Sequence, residues 1–336
     1  MSSNVQGREI YSQTIKLFGS HPEPAFETPE QQESVWGRPW GCDNDVGQIR
    51  LVLMHRPGAE MDVIDPSKRI ASTGGFGDVE RGWYWQSDVV PPMEELQAQH
   101  DALVAMLRAE GAEVVFLEDV EDDGIKSCYT RDSSFAIKGG AIVTRLARTI
   151  RRGEEAHVTK TLANLGMPIL RTIHGAGMME GGSFAWLNST TAVIGRSICV
   201  NDDGIRQVAQ VLEEQGIELL VVDMGGYRIH IDGALCMIDK EVAIIDANQL
   251  PYWFLKRLEA MGIRTIETTP ADSSWIINCL AVRPGRVIMP PGASNQTMDA
   301  LAGHDVEVLN LEYDKMSLNG GGIHCSTSPL VRDSVD

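Results

Sequence analysis

The chain has no CxxC pair, no HxxxH or similar paired metal-ligand spacing, and no apolar run approaching the roughly 20 residues a membrane span needs. These absences argue against a metal hydrolase and a membrane-spanning helix. The N-terminus is polar and lacks the apolar segment of a secretory signal, so none is expected. Basic residues are scarce: Lys and Arg number 29 against 47 Asp and Glu, a net charge of −18. That balance excludes nucleic acid and anionic membrane as natural partners and mildly favours cationic small molecules. Six cysteines scattered singly through 336 residues are no disulfide scaffold, and a reducing cytoplasm is the expected location. What remains, 43% hydrophobic and 23% charged, suits a globular chain with a large core.

One cysteine stands apart. Gly320, Gly321, Gly322, Ile323, His324 and Cys325 form a run in which three glycines permit positive φ and close approach to the backbone. A cysteine so placed reads as a nucleophile if partners exist elsewhere.

The chain repeats one pattern five times: an amphipathic helix, a glycine, then a short apolar strand. The helices are expected at Glu95–Glu110, Glu155–Leu165, Gly204–Gln215, Pro251–Met261 and Gln296–Ala302. Gly111, Gly166, Gly216, Gly262 and Gly303 follow them as left-handed caps. Their spacings of 55, 50, 46 and 41 residues lie in the range of propellers and solenoids. Two further apolar segments precede each later helix, for example Ser183–Leu187 with Ala192–Ile198, and Ile276–Val282 with Val287–Met289. Each unit reads β-β-α-β, with parallel pairing through the crossover. An ordinary doubly wound sheet is the competing α/β architecture, and the evenness of five copies favours a closed array. Residues 1–45 read as an N-terminal extension and 46–336 as a single catalytic domain. Residues 72–92, rich in Gly and Trp, form an insertion in the first unit, either a wall of the site or a packed surface loop.

The chemistry-bearing residues share one phase of the repeat. Arg131-Asp132, Glu180-Gly181-Gly182, His230-Ile231-Asp232 and His324-Cys325 each follow the strand after a helix, and Ser273-Ser274-Trp275 occupies the equivalent place in the remaining unit as a wall. Singly, each has a structural reading: Asp132 in an ion pair, Glu180 bending the chain, His230 as a core histidine, Cys325 as a small buried hydrophobe. Their recurrence at one phase makes the joint reading functional.

This set resembles the guanidino-group-modifying enzymes, the superfamily of arginine deiminases, agmatine deiminases, dimethylargininases and amidinotransferases. The likeness spans about residues 36–333. It implies a pentein fold, a five-bladed α/β propeller of ββαβ units with pseudo-fivefold symmetry. It also implies roles: Cys325 as nucleophile, His230 as acid and base, Glu180 orienting His230, and Asp132 and Asp232 holding the guanidinium. A hydrolase of a C–N bond in an arginine-like guanidino compound follows, with no cofactor and no metal, acting through a covalent amidino-cysteine intermediate. A homo-oligomer is expected from the resemblance alone.

The sequence departs from the arginine-acting pattern in two places. Cys199 stands where those relatives carry a carboxylate-binding arginine, and Leu318-Asn319 precedes the glycine run where deiminases carry another. Loss of a bidentate arginine is not conservative. Arg196 or Arg145 is available to compensate, or the substrate differs from arginine. The alternative on the same machinery is an amidinotransferase. A papain-like hydrolase conflicts with the order His230 before Cys325. Gly175-Ala176-Gly177 lacks the third glycine of a dinucleotide fingerprint. A binding module that has lost catalysis conflicts with the intact Cys, His and carboxylate set.

Overall fold

The computed structural model describes residues 8–13, 28–78, 80–81, 83–118, 120, 124–226 and 228–335. The chain forms two compact units, Met1–Pro39 and Trp40–Asp336. In the first, Pro29–Trp36 is helical: the Thr28 hydroxyl accepts from the amide of Gln31, proline occupies the first turn, and Gly37 ends the helix at φ 80°.

The second unit contains five three-stranded sheets of one design. An antiparallel hairpin supplies two strands, a helix crosses over, and a third strand pairs parallel to the second. The second sheet shows it: Ser134–Ile137 pairs antiparallel with Gly140–Val143, Glu154–Leu165 crosses, and Ile169–Thr172 pairs parallel. The third is Phe184–Asn188, Thr191–Arg196 and Glu218–Asp223; the fourth Leu235–Asp239, Val242–Ile245 and Arg264–Glu267; the fifth Leu280–Arg283, Arg286–Met289 and Glu307–Asn310. In the first sheet Ile49–Met54 is the middle strand and Glu113–Phe116 its parallel neighbour, while the hairpin position is filled from the far end of the chain by Ser328–Arg332. This is the five-bladed α/β propeller of the pentein fold.

Burial explains the unbroken apolar runs. Ala192, Val193 and Ile194, like Val242, Ala243 and Ile244, are 0% exposed, because neighbouring sheets and crossover helices cover both faces of the middle strands. Each valine or isoleucine among them contributes about 1.5–3 kcal/mol of burial. The clusters run round the ring. One joins the third, fourth and fifth sheets, another the fifth to the first through Leu280, Ile288 and Val52, another the first to the second through Leu330 and Ala136, and the last the second to the third. In that last contact the Phe135 and Phe184 rings stack at 4.3 Å.

Four of the five expected glycine caps are left-handed: Gly111, Gly166, Gly216 and Gly262 have φ between 71° and 90°. The fifth differs. Gly303 is the last helical residue, and Asp305 takes the left-handed conformation at φ 57°. The amide of Val306 then reaches the carbonyl of Leu301, the bond that Ile263 makes to Leu258 one unit earlier. Aspartate tolerates this region well enough for the cap to shift by two residues. The segment expected as strand from Ile276 begins only at Leu280, and residues before it form a turn. In the insertion, Phe76–Asp78 pairs with Trp83–Trp85, and Trp83 and Trp85 are buried in the core between the fifth and first sheets. Residues 79 and 82 of that insertion lie outside the described residues.

Candidate active site

Five turns lead into the five inner strands, and their side chains meet. Asp132 precedes Ser134–Ile137; Glu180 precedes a short 3-10 turn and Phe184–Asn188; His230 and Asp232 precede Leu235–Asp239; Asn278 precedes Leu280–Arg283; Cys325 precedes Ser328–Arg332. The ring symmetry makes this convergence automatic, since equivalent turns open at the same end of the propeller. Two glycines allow the contact. A Cβ on Gly182 would stand 2.7 Å from both the Asp132 carboxylate and the His230 ring, and one on Gly322 would stand 2.5 Å from the Asn278 amide oxygen.

One half of the cluster surrounds the thiol. Asn278 donates from its side-chain amide to Cys325 Sγ at 3.2 Å and accepts from the Cys325 backbone amide at 3.2 Å. The thiol donates to Asp232 Oδ2 at 3.4 Å, and the same oxygen lies 3.0 Å from His324 Nδ1. The amide of Arg131 donates to the Cys325 carbonyl at 3.1 Å, tying the turn of Asp132 to the turn of Cys325. Burial pushes the Cys325 thiol up, and the Asp232 and Asp132 carboxylates push it further. Burial and the two carboxylates therefore hold Cys325 as a neutral thiol.

The other half surrounds His230. Its Nε2 meets Glu180 Oε2 at 2.7 Å, and its Nδ1 lies 3.5 Å from Asp132 Oδ1. Burial opposes charge on this ring, but Asp132, the Glu180 hydrogen bond and Asp232 outweigh it and raise its pKa to about 9. Glu180 also suffers burial, yet its bonds to His230 and to the amide of Ala147 (3.0 Å) hold it at about 2. The resting pair is imidazolium and carboxylate.

All five residues expected from the sequence thus lie in one buried cluster. The expected wall, Ser273-Ser274-Trp275, does not supply the contact in the remaining unit; Asn278 does. Its signal was present, since it occupies the same phase of the repeat just ahead of Leu280, but the apolar run around it read as strand. Arg151 was also missed. It donates to Asp132 Oδ2 at 2.5 Å and to both oxygens of Glu154 at 2.9 and 2.8 Å, so Asp132 is already bonded to an internal guanidinium. Nothing in the spacing of Asp132, Arg151 and Glu154 announces this triad.

Cys199 is buried, and burial with the Glu180 charge pushes its thiol up to about 12. Arg196 does not compensate for it: its guanidinium is bound to Asp223 at 2.6 Å and to Asp202 at 2.7 Å, and Arg145 donates to the Gly175 carbonyl. A different cation approaches. Arg148 lies 5.1 Å from the Tyr84 ring, and Nζ of the buried Lys126 lies 3.9 Å from the same ring. Lys126 donates to the side chain of Asn319 at 2.6 Å and to its carbonyl, anchoring the start of the glycine run. Glu180, Cys199 and His230 together offer one oxygen, one sulfur and one nitrogen within 4.8 Å of one another, a set able to hold a metal ion. Among the described residues, no helix is long and apolar enough to cross a membrane.

A family model described as N,N dimethylarginine dimethylhydrolase, eukaryotic, matches residues 86–332. The N(G),N(G)-dimethylarginine dimethylaminohydrolase of Pseudomonas aeruginosa is 25% identical over 237 residues, covering 70% of this chain and 88% of that protein. A structure of the P. aeruginosa enzyme complexed with citrulline superposes with a TM-score of 0.65 at 20% identity, covering 84% of this chain and 99% of that one. The amidinotransferase SxtG of Microseira wollei superposes at 0.66 with 15% identity, covering 88% and 98%. The convergent Cys, His and carboxylate turns, the five-bladed ring and the family match agree: the chain belongs to the dimethylarginine dimethylaminohydrolase family of the guanidino-modifying penteins, hydrolases of C–N bonds in amidines.

Proposed function

We propose that the chain hydrolyses a small cationic guanidino compound through a covalent amidino adduct on Cys325. The observation that carries this reading is the thiol of Cys325 set against Asp232, with the His230–Glu180 ion pair and Asp132 in the same cluster. A guanidinium entering between Asp132 and Asp232 would accept charge-assisted hydrogen bonds from neither and donate them to both. Its positive charge offsets the two carboxylates that hold the thiol neutral, and the thiolate forms as the substrate arrives. Sulfur attacks the central carbon, a C–S bond forms, and one C–N bond breaks as the leaving amine takes the proton of His230. Water then gives a proton back to His230 and adds to the same carbon; the C–S bond breaks, releasing a ureido product and the thiolate. The pKa of His230 near 9 suits the first proton transfer, because the ring is charged when substrate binds. Glu180 holds the ring and its charge. Asp132, fixed by Arg151, presents Oδ1 to the site.

The substrate differs from free arginine in its far-end contacts, because Cys199 replaces a carboxylate-binding arginine and Arg148 is the nearby cation that remains. Scattered free thiols fit a reducing compartment such as the cytoplasm. The test is trapping. Incubation with a panel of guanidino compounds, acid quench and intact-mass measurement should show an amidino adduct in the wild type and none in Cys325→Ala. Absence of adduct and turnover across the panel sinks the reading. Adding amine acceptors to the same reactions separates hydrolysis from amidino transfer: a transferase would form substituted guanidines at the expense of the ureido product.

A further inference from the structure

Outside the catalytic cluster, a polar cavity of about 280 Å³ lies between the insertion and the start of the second sheet's crossover helix. Arg81 and Trp83 of the insertion line one side, and Ser127, Thr149, Arg152 and His157 line the rest. Side chains alternate along a strand, so Trp83 points away from the face on which Tyr84 meets Lys126 and Arg148. Arg81 and Arg152 are exposed, and neither forms an ion pair among the described residues. The one side-chain bond of Arg152 runs to the Ala147 carbonyl at 3.4 Å. Nε1 of Trp83 and Nδ1 of His157 are buried and meet no partner among the described residues. The helix Glu154–Leu165 opens at the same place, with Gly153 as its N-cap and no side chain bonded to its first amides. We propose that this cavity binds a phosphate-type oxyanion, free or carried on a small organic molecule, between Arg81, Arg152 and the start of that helix. The site stands without the mechanism above; its effect on substrate rests on the role given there to Asp132.

The chemistry of the lining suits that ligand. Each guanidinium presents a planar fork that matches two oxygens of a phosphate, and a helix start supplies amide donors and the positive end of its dipole. The hydroxyls of Ser127 and Thr149 add donors that turn to suit, and the indole Nε1 of Trp83 donates only. Val63 and Ile150 give an apolar wall for an organic group attached to the phosphate. The carboxylate that lines the cavity, Glu154, does not oppose an anion as a free charge would, because both its oxygens bind Arg151 at 2.9 and 2.8 Å. The same pair joins the cavity to the substrate site, since Arg151 also holds Asp132 at 2.5 Å. An oxyanion would neutralise Arg81 and Arg152, two positive charges that oppose a cation arriving at Asp132. Occupancy should therefore tighten guanidinium binding by about two- to fourfold, and a guanidinium should tighten the oxyanion by the same factor.

The test is calorimetric titration of the full chain with inorganic phosphate and with phenyl phosphate, at constant ionic strength. One anion per chain is expected. Arg81→Gln and Arg152→Gln should each weaken binding by about tenfold or more. Trp83→Phe keeps a ring and should cost about two- to tenfold. Arg206→Gln, at an exposed arginine of the helix Asp202–Glu214, should leave binding unchanged. Tighter binding of phenyl phosphate assigns the site to a phosphorylated organic molecule, and equal affinities assign it to free phosphate. No saturable binding, binding indifferent to Arg81 and Arg152, or binding weakened equally by Arg206→Gln overturns the site. Methylguanidine is then titrated into Cys325→Ala with and without saturating phosphate. An affinity that does not change overturns the coupling and leaves the oxyanion site in place. Failure of methylguanidine to bind at all sinks the substrate site together with the coupling, while the phosphate isotherm still decides the cavity.

Discussion

Two buried histidines of this molecule each contact a carboxylate at hydrogen-bond range, yet they settle in opposite charge states. His230 touches Glu180 and faces Asp132, with Asp232 nearby, and three negative groups overcome burial to raise it to about 9. His324 touches Asp232 alone; burial and the Arg131 charge outweigh that contact and lower it. The chemistry follows from the count of charges rather than from the presence of a partner. His230 carries a proton to give away. His324 stays neutral and fixes the carboxylate beside Cys325. A third histidine, His100, shows the limit of no carboxylate contact strong enough to matter: burial dominates and lowers it to about 4.

The largest test of this contrast removes the rings. His230→Asn should lower kcat by about 10²–10⁴-fold, the range for loss of a general acid and base. His324→Asn should cost far less, because it acts through Asp232; equal losses in both would erase the distinction. Next, Glu180→Gln should drop the His230 pKa from about 9, read by NMR titration of the ring, and reduce kcat by about 10²-fold. An unmoved titration would show that Asp132 and Asp232 set the charge without Glu180. Asn278→Ala removes one donor to the Cys325 sulfur and should cost about tenfold in kcat, the equivalent of roughly 1.4 kcal/mol for a bond to a charged group. Iodoacetamide should label Cys325 slowly in the free protein and faster when a guanidinium ligand is present in the site.

The smallest effect is on stability against pH, and the two kinds of histidine should pull it in opposite directions. His230 is raised above its unfolded value of 6.5, so its contribution is full below pH 6.5 and is lost as pH rises through about 9. His100 is depressed, so its contribution is present above pH 6.5 and is lost as pH falls toward 4. Urea midpoints across pH 4 to 9 should therefore flatten at the alkaline end in Glu180→Gln and at the acid end in His100→Gln.

Much of this was legible in the sequence, and the failures have physical causes. Helices and parallel strands announce themselves locally, by apolar period and by glycine after the last turn, so the ββαβ unit and its five copies were readable. The pairing of Ile49–Met54 with Ser328–Arg332 was not, because a contact between opposite ends of the chain leaves no mark on either segment. The Cys, His and carboxylate residues were found because repeat symmetry places equivalent turns at one spot. Asn278 obeyed that symmetry and was hidden by apolar neighbours. Arg151 lies outside it: its bonds to Asp132 and Glu154 exist only once the second sheet and its crossover helix are folded. Arg196 misled for the converse reason, since its sequence neighbourhood says nothing of Asp223 lying across the sheet.

The strand Ser328–Arg332 fills the first sheet from the far end of the chain and begins directly after the turn that bears Cys325. Among the strands of the five sheets it leaves the ribosome last. A nascent chain can already hold Asp132, Glu180, His230 and Asp232, yet the Cys325 thiol is not in place until that strand is made and docks. The Cys325 sulfur therefore joins the carboxylates and His230 only through the docking of the strand that completes the first sheet.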